Sequence, residues 1–251
     1  MLKNQFSKHY MNNNVNNLDN EDDSYLEYQS RFTQIYDESY YSSGLSSWAM
    51  NNSHKLLEKT LEKDKVYNSI IEIGAGTGEH VKHVTHKYSQ YILSDHDNDA
   101  LRFAEEKLKN HKYSTRLKYK CMEGNHISFE SNTFDRLIAT HTLEHITNPH
   151  LALKEWARVT KHNGMISIII PTDPGLLWRF SRNLGPRQSA IKQGLAYDYI
   201  IAREHVNSCT NLISLLRYYF PESKEYWWPL NRLPFVDINL FFAFHAKVNK
   251  Y

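Results

Sequence analysis

The sequence lacks most of the features that place a chain in a class at first reading. It has two cysteines, Cys121 and Cys209, which excludes a disulfide scaffold and any cysteine-rich zinc module. No apolar run approaches the roughly 18 residues of a membrane-spanning helix. Charge of one sign is not in excess: 30 Lys and Arg face 28 Asp and Glu, a formal charge of +2. That balance argues against nucleic-acid binding on charge alone. Met1 to Asn17 are polar and lack the apolar core of a signal peptide. With so few cysteines, the expectation is a cytoplasmic protein in a reducing compartment.

What is present supports folding. Apolar residues make up 41% of 251 positions and charged residues 23%, enough for a core and inconsistent with global disorder. The length suits one domain with a cap. Residues 1–23, crowded with asparagine and ending in Glu21, Asp22 and Asp23, read as a loose tail. Residues 24–251 read as a single domain that opens with a helical cap over 24–64. The cap is rich in tyrosine, and Tyr36, Tyr40 and Tyr41 are candidates either for a lid or for core packing.

From Tyr67 onward, short β-branched runs alternate with helical periodicity. Strands are predicted at 69–73, 91–94, 117–122, 136–140 and 165–170, and helices at 79–88, 99–108, 151–160 and 209–220. Phe235 to Val248 is a closing strand-like stretch. Apolar strands alternating with helices specify a mostly parallel sheet covered on both faces. Residues 171–207 carry Pro171, Pro174, Gly175, Gly185, Pro186 and Gly194 and break the rhythm as an insertion.

The sharpest local signal is Glu72-Ile73-Gly74-Ala75-Gly76-Thr77-Gly78, a glycine turn between a strand and a helix. Such a turn lets backbone approach a ligand. A dinucleotide fingerprint would place its third glycine where Glu79 stands, and no Gly-Lys-Ser/Thr of a P-loop follows. An acidic Glu79 disfavours a phosphate. A ribose-bearing cofactor without phosphates fits better. Asp95, 21 residues after Gly74 at the end of the second strand, is placed to accept both hydroxyls of a ribose.

These motifs resemble the class I S-adenosylmethionine-dependent methyltransferases, most clearly over residues 65–172. The resemblance implies a Rossmann-like fold: a mostly parallel seven-stranded sheet with helices on both faces, an N-terminal helical lid and an insertion after the fifth strand. Gly74, Ala75, Gly76 and Gly78 match the first motif, and Asp95 matches the ribose acid, followed by His96. Glu123-Gly124-Asn125-His126 lies where the family commonly has Gly-Asp-Ala beside the adenine, with Asn125 replacing the acid. Thr140-His141-Thr142-Leu143-Glu144-His145-Ile146 matches the fourth-strand signature of the small-molecule branch. The cofactor set implied is therefore Gly74, Ala75, Gly76, Gly78, Asp95, His96, Asn125, His126 and Thr140. The distal half is similar to bacterial methyltransferases of surface-polysaccharide clusters, through Gly175 to Arg179, Tyr197-Asp198-Tyr199 and Arg203-Glu204-His205-Val206-Asn207.

Methyl transfer from a sulfonium requires alignment and exclusion of water, and a base only when the acceptor must lose a proton. His145 and His205 are the candidate bases. Arg179, Tyr199, Arg203 and Asn207 are candidate substrate contacts. The insertion's Arg179, Arg182, Arg187, Lys192 and Arg203 suggest an anionic acceptor, phosphate-bearing, sugar or nucleotide-linked, although a solvated loop face explains the same excess. The partners expected are a small-molecule substrate, no nucleic acid and no membrane span. An RNA or protein methyltransferase, or a non-catalytic cofactor-binding module, is the alternative.

No metal is expected. Asp95, Asp97, Asp99 and Glu106 imitate a calcium loop but lack its turn glycine. His80, His83 and His86 read as a solvated helix face. Cys121 reads as a buried small apolar residue, and Tyr226-Trp227-Trp228 as packing against the sheet.

Overall fold

The computed structural model describes Tyr25, Tyr28, residues 44–61 and residues 65–250. The expected tail, most of the cap before Gly44, and Tyr36, Tyr40 and Tyr41 lie outside the described residues. Helix α1 (Gly44–Lys59) is followed by β1 (Ser69–Ile73), β2 (Gln90–Asp95), α2 (Asn98–Leu108), β3 (Leu117–Cys121) and β4 (Phe134–Thr140). Then come α3 (Pro149–Val159), β5 (Thr160–Pro171), three short helices α4 (Leu176–Leu184), α5 (Pro186–Lys192) and α6 (Tyr197–Glu204), α7 (Cys209–Tyr219), β6 (Ser223–Trp228) and β7 (Phe241–Lys247).

The seven strands lie in the order β3-β2-β1-β4-β5-β7-β6. β1 to β5 run parallel, and β7 is antiparallel to both β5 and β6. The fold is the Rossmann-like class I methyltransferase fold that the motifs imply. Central strands such as β1 and β4 are buried almost throughout because helices cover both of their faces. One face of the sheet packs on Leu153, Trp156, Leu212 and Leu216 from α3 and α7. The other packs on Leu57, Leu101, Ala104 and Leu108 from α1 and α2. The strand order reverses between β1 and β4, the position at which open α/β sheets hold their ligands.

Local chemistry explains the element starts. Asp97 caps α2, its side chain accepting from the backbone N–H groups of Asp99 and Ala100. The acidic run that imitates a calcium loop thus contains a helix cap. Pro149 begins α3, where its missing N–H leaves no bond unmade.

Four expectations need correction. The helix over 79–88 is only a 3-10 turn at His80–His83. β-branched Val81, Val84 and Thr85 favour extended backbone, and the histidines turn inward. His80 and His86 are buried, so they are not a solvated face. Cys121 ends the edge strand β3 and is exposed. Tyr226-Trp227-Trp228 does not pack onto the sheet from outside but belongs to it, as the end of edge strand β6.

Buried polar groups tie α1 to the sheet. Arg136 of β4 donates to Glu58 of α1 at 2.7 Å, to His86 at 2.5 Å and to Ser167 of β5 at 3.0 Å. Glu58 is also bonded to His80 at 3.0 Å, and His80 meets His54 at 3.1 Å. On the other side, Ser167 meets His245 at 2.9 Å, and His245 meets Thr60 at 2.8 Å. Burial opposes the charge of Glu58, but Arg136 and His80 outweigh it and hold its carboxyl far below the usual range. Burial and the Arg136 charge lower His86 to about 4.

Candidate active site

A cleft of about 720 Å³ opens at the C-terminal ends of β1, β2 and β4. The glycine turn forms one wall. Gly74, Gly76 and Gly78 all have positive φ, a conformation other residues rarely adopt. A Cβ on Gly74 would lie 2.3 Å from Thr142 Oγ1, so the turn presses against the loop after β4. A Cβ on Gly78 would meet Leu108 at 2.7 Å. Gly78 therefore packs the turn against α2 and does not line the cleft.

The glycine turn and the acid of β2 are joined directly. Asp95 Oδ2 accepts the N–H of Gly76 at 2.8 Å, and Oδ1 accepts that of Asp97 at 3.0 Å. His96 Nδ1 lies 3.1 Å from Oδ1. Burial opposes the charge of Asp95, but the bonds from His96, Asp97 and Gly76 keep it ionised below its ordinary range. The same contact lifts His96 to about 9. Ala75, Gly76, Asp95, His96, Asn125 and Thr140 all line the cleft, whereas His126 does not.

The same cleft holds two histidine–carboxylate pairs. His205 Nδ1 lies 2.8 Å from Asp173 Oδ2, and His145 Nδ1 lies 3.3 Å from Glu204 Oε2. The two rings meet edge to face, 4.9 Å between centroids. Burial opposes protonation of His145, but the Glu204 bond and the charges of Glu144 and Glu204 prevail and raise its pKa. Glu204 also accepts from the Tyr25 hydroxyl at 2.5 Å. Beneath them Glu144 is buried, and its Oε2 has no hydrogen-bond partner among the described residues. Burial raises its pKa.

The expected substrate contacts are placed differently. Arg179, Tyr199, Arg203 and Asn207 are not among the lining residues. Arg203 sits over the Tyr25 ring at 3.6 Å and donates to the Tyr199 hydroxyl. Asn207 instead donates to the carbonyl of Ile146 at 2.7 Å, which ties down the loop bearing His145. Arg187 pairs with Asp198 on the surface. Charge excess in a sequence does not say which way side chains face. Among the described residues, no lysine or arginine lines the cleft.

Sequence reasoning missed His54, His141, Glu144, Asp173 and Glu204, all at the cleft or bonded to it. His141 carried one usable signal, since it lies in the fourth-strand signature. Its φ is 54°, unusual for a side-chain-bearing residue. Its Nε2 lies 2.9 Å from Ser53 of α1, and burial lowers its pKa to about 3.

Residues 71–168 match the methyltransferase domain family. A ubiquinone/menaquinone biosynthesis C-methyltransferase of Haemophilus ducreyi is 25% identical over 146 residues, 55% of this chain and 56% of that protein. The chain thus matches little more than half the length of that relative. Among solved structures, an S-adenosylmethionine-dependent methyltransferase from Aquifex aeolicus aligns with a TM-score of 0.57 and 17% identity, over 86% of this chain and 97% of that one. The [4+2]-cyclase SpnF aligns with a TM-score of 0.61 and 11% identity, over 89% and 93%. Such likeness establishes fold, and the cyclase shows that this fold also hosts other chemistry.

The cleft suits S-adenosylmethionine, the cofactor of this domain family. Gly74 and Gly76 bring bare backbone to the cleft wall. Asp95 keeps an ionised carboxylate in the cleft wall at the end of β2. Carboxylates without lysine or arginine fit a ligand that carries a sulfonium and an ammonium.

Proposed function

We propose that this chain, whose residues 71–168 form a class I S-adenosylmethionine-dependent methyltransferase domain, transfers methyl to a small acceptor that must lose a proton. The facing pairs His145–Glu204 and His205–Asp173, in the same cleft as Asp95, carry this reading. The cofactor would supply an electrophilic methyl with a neutral thioether as leaving group, so no general acid would be needed. The glycine turn and Asp95 would hold its ribose end. His145 and His205 line the same cleft, and each carboxylate orients its imidazole. The pKa of His145 is raised, so it reaches its basic form at a pH above the ordinary histidine range.

The acceptor end that enters the cleft is best read as a hydroxyl-bearing group without a phosphate, because no lysine or arginine lines that space among the described residues and the histidines of raised pKa, His96 and His145, are held by Asp95 and Glu204. A sugar hydroxyl meets this description and agrees with the surface-polysaccharide resemblance of the distal half. A second reading is methylation at carbon, favoured by the name of the Haemophilus relative.

The test is acceptor-dependent formation of S-adenosylhomocysteine across a panel of sugars, nucleotide sugars and phenols. His145→Ala and His205→Ala are run beside the wild type. Loss of turnover in at least one variant, with cofactor binding intact, supports the reading. Full turnover in both removes the histidines from the chemistry.

A further inference from the structure

The insertion's cations, unused by the cleft, lie on a surface with its own character. Helix α4 carries Leu176, Phe180 and Leu184 at four-residue spacing, one stripe along one side. All three are exposed, Leu176 at 64% and Phe180 at 60%. The stripe is extended at both ends. Gly185 closes on Ser46 of α1, beside exposed Leu45 and Trp48. Gly175 closes on the backbone of Val236, beside Phe235, which is 61% exposed. Six large apolar side chains are thus presented to water along one band. Soluble proteins rarely leave such a band without a partner.

The charge on this band is predominantly positive. From Gly175 to Ala196 the sequence holds Arg179, Arg182, Arg187 and Lys192 and no aspartate or glutamate. From Leu230 to Val236 it holds Arg232 and again no acid. Asp198 is paired with Arg187, which leaves exposed Asp237, bonded to the N–H of Leu176 at 3.1 Å, as one carboxylate among Arg179, Lys192 and Arg232. Arg179, Lys192 and Arg232 are exposed. Leucine, phenylalanine and tryptophan bordered by arginine and lysine form the pattern of an interfacial amphipathic helix. The opposite side of the same helix sends Trp178 into the cleft.

We propose that this band, centred on Leu176, Phe180 and Leu184, seats the protein on an anionic lipid bilayer surface. The apolar stripe enters the headgroup boundary, and Arg179, Lys192 and Arg232 meet the acidic headgroups. Such seating places the cleft beside the bilayer, where an amphiphilic acceptor is concentrated. Among the described residues no helix is long and apolar enough to cross a membrane, so the contact is peripheral. The proposal concerns a surface and stands apart from the methyl-transfer reading.

Vesicle flotation of the full chain tests it, using vesicles of phosphatidylglycerol and phosphatidylcholine at one to three, and of phosphatidylcholine alone. We expect at least ten-fold stronger binding to the anionic vesicles, weakened by high salt. A triple variant Leu176→Ser, Phe180→Ser, Leu184→Ser should lose at least ten-fold. Arg179→Glu with Arg232→Glu should lose binding to anionic vesicles while keeping the wild-type melting temperature, which guards against misfolding. No flotation with anionic vesicles, or flotation unchanged in both variants, overturns the proposal. So does a dimer in sedimentation that the serine variant dissociates while wild type ignores vesicles, since a second copy would then cover the band.

Discussion

Arg136 donates to Glu58 across 2.7 Å with both side chains buried, which joins α1 to the middle of the sheet. Removing one partner of such a pair leaves an uncompensated buried charge, at a cost of about 3–5 kcal/mol. Glu58→Gln should therefore destabilise the fold by about that amount, measured by urea denaturation. Replacing both residues with apolar ones of similar volume should cost much less. Equal losses in the single and double variants would contradict this view of the pair.

Histidines buried in this network and at the cleft give stability a pH dependence. Burial lowers His86 to about 4 and His141 and His245 to about 3, each from 6.5. Between those values the unfolded chain binds protons that the folded chain does not, so stability rises with pH across that window. Glu58, depressed from 4.5, adds a term present above 4.5 and lost below it. The melting temperature should fall as pH drops below about 6.5, and more steeply below about 4.5. A flat profile between pH 7 and 5 would contradict the buried neutral histidines.

His145 sets the expected pH dependence of turnover. The Glu204 bond raises its pKa above 6.5, and a base acts only when deprotonated. Activity should rise with pH through a value above 6.5. Glu204→Gln removes the stabilising charge and should move that limb to lower pH. An unmoved limb in the variant would separate Glu204 from the titrating group.

Gly74 has φ +66° and no room for a Cβ beside Thr142. Gly74→Ala should abolish cofactor binding, whereas Gly74→Ala with Thr142→Gly should regain part of it by removing the clash. Calorimetric titration of both variants checks this. Wild-type affinity in Gly74→Ala would mean that the turn tolerates movement.

Legibility in the sequence followed the distance over which the chemistry acts. Glycine turn and strand are local: Gly74 to Gly78 and β1 needed only their neighbours to be read, whereas the cap made by Asp97 emerged from the structure. The position of Asp95 at the end of β2 was legible because the short link between two adjacent parallel strands fixes its spacing from Gly74. Arg136 was not, since its partners His86 and Glu58 lie 50 and 78 residues away. His80 and His86 look solvated until those partners are known. Asp173 reaches His205 across 32 residues, through the packing of the insertion. The insertion's arginines were countable in sequence, but their direction depends on how α4 to α6 pack.

The central claim is that Asp95, held by Gly76 at 2.8 Å, is the ribose acceptor of an S-adenosylmethionine site. Calorimetric titration with S-adenosylmethionine and S-adenosylhomocysteine, on wild type and Asp95→Ala, addresses it most directly. The account predicts micromolar binding to the wild type and at least a hundred-fold loss in a folded Asp95→Ala, about 2.7 kcal/mol. Equal affinity in the two proteins, or no binding to folded wild type at millimolar ligand, would contradict it.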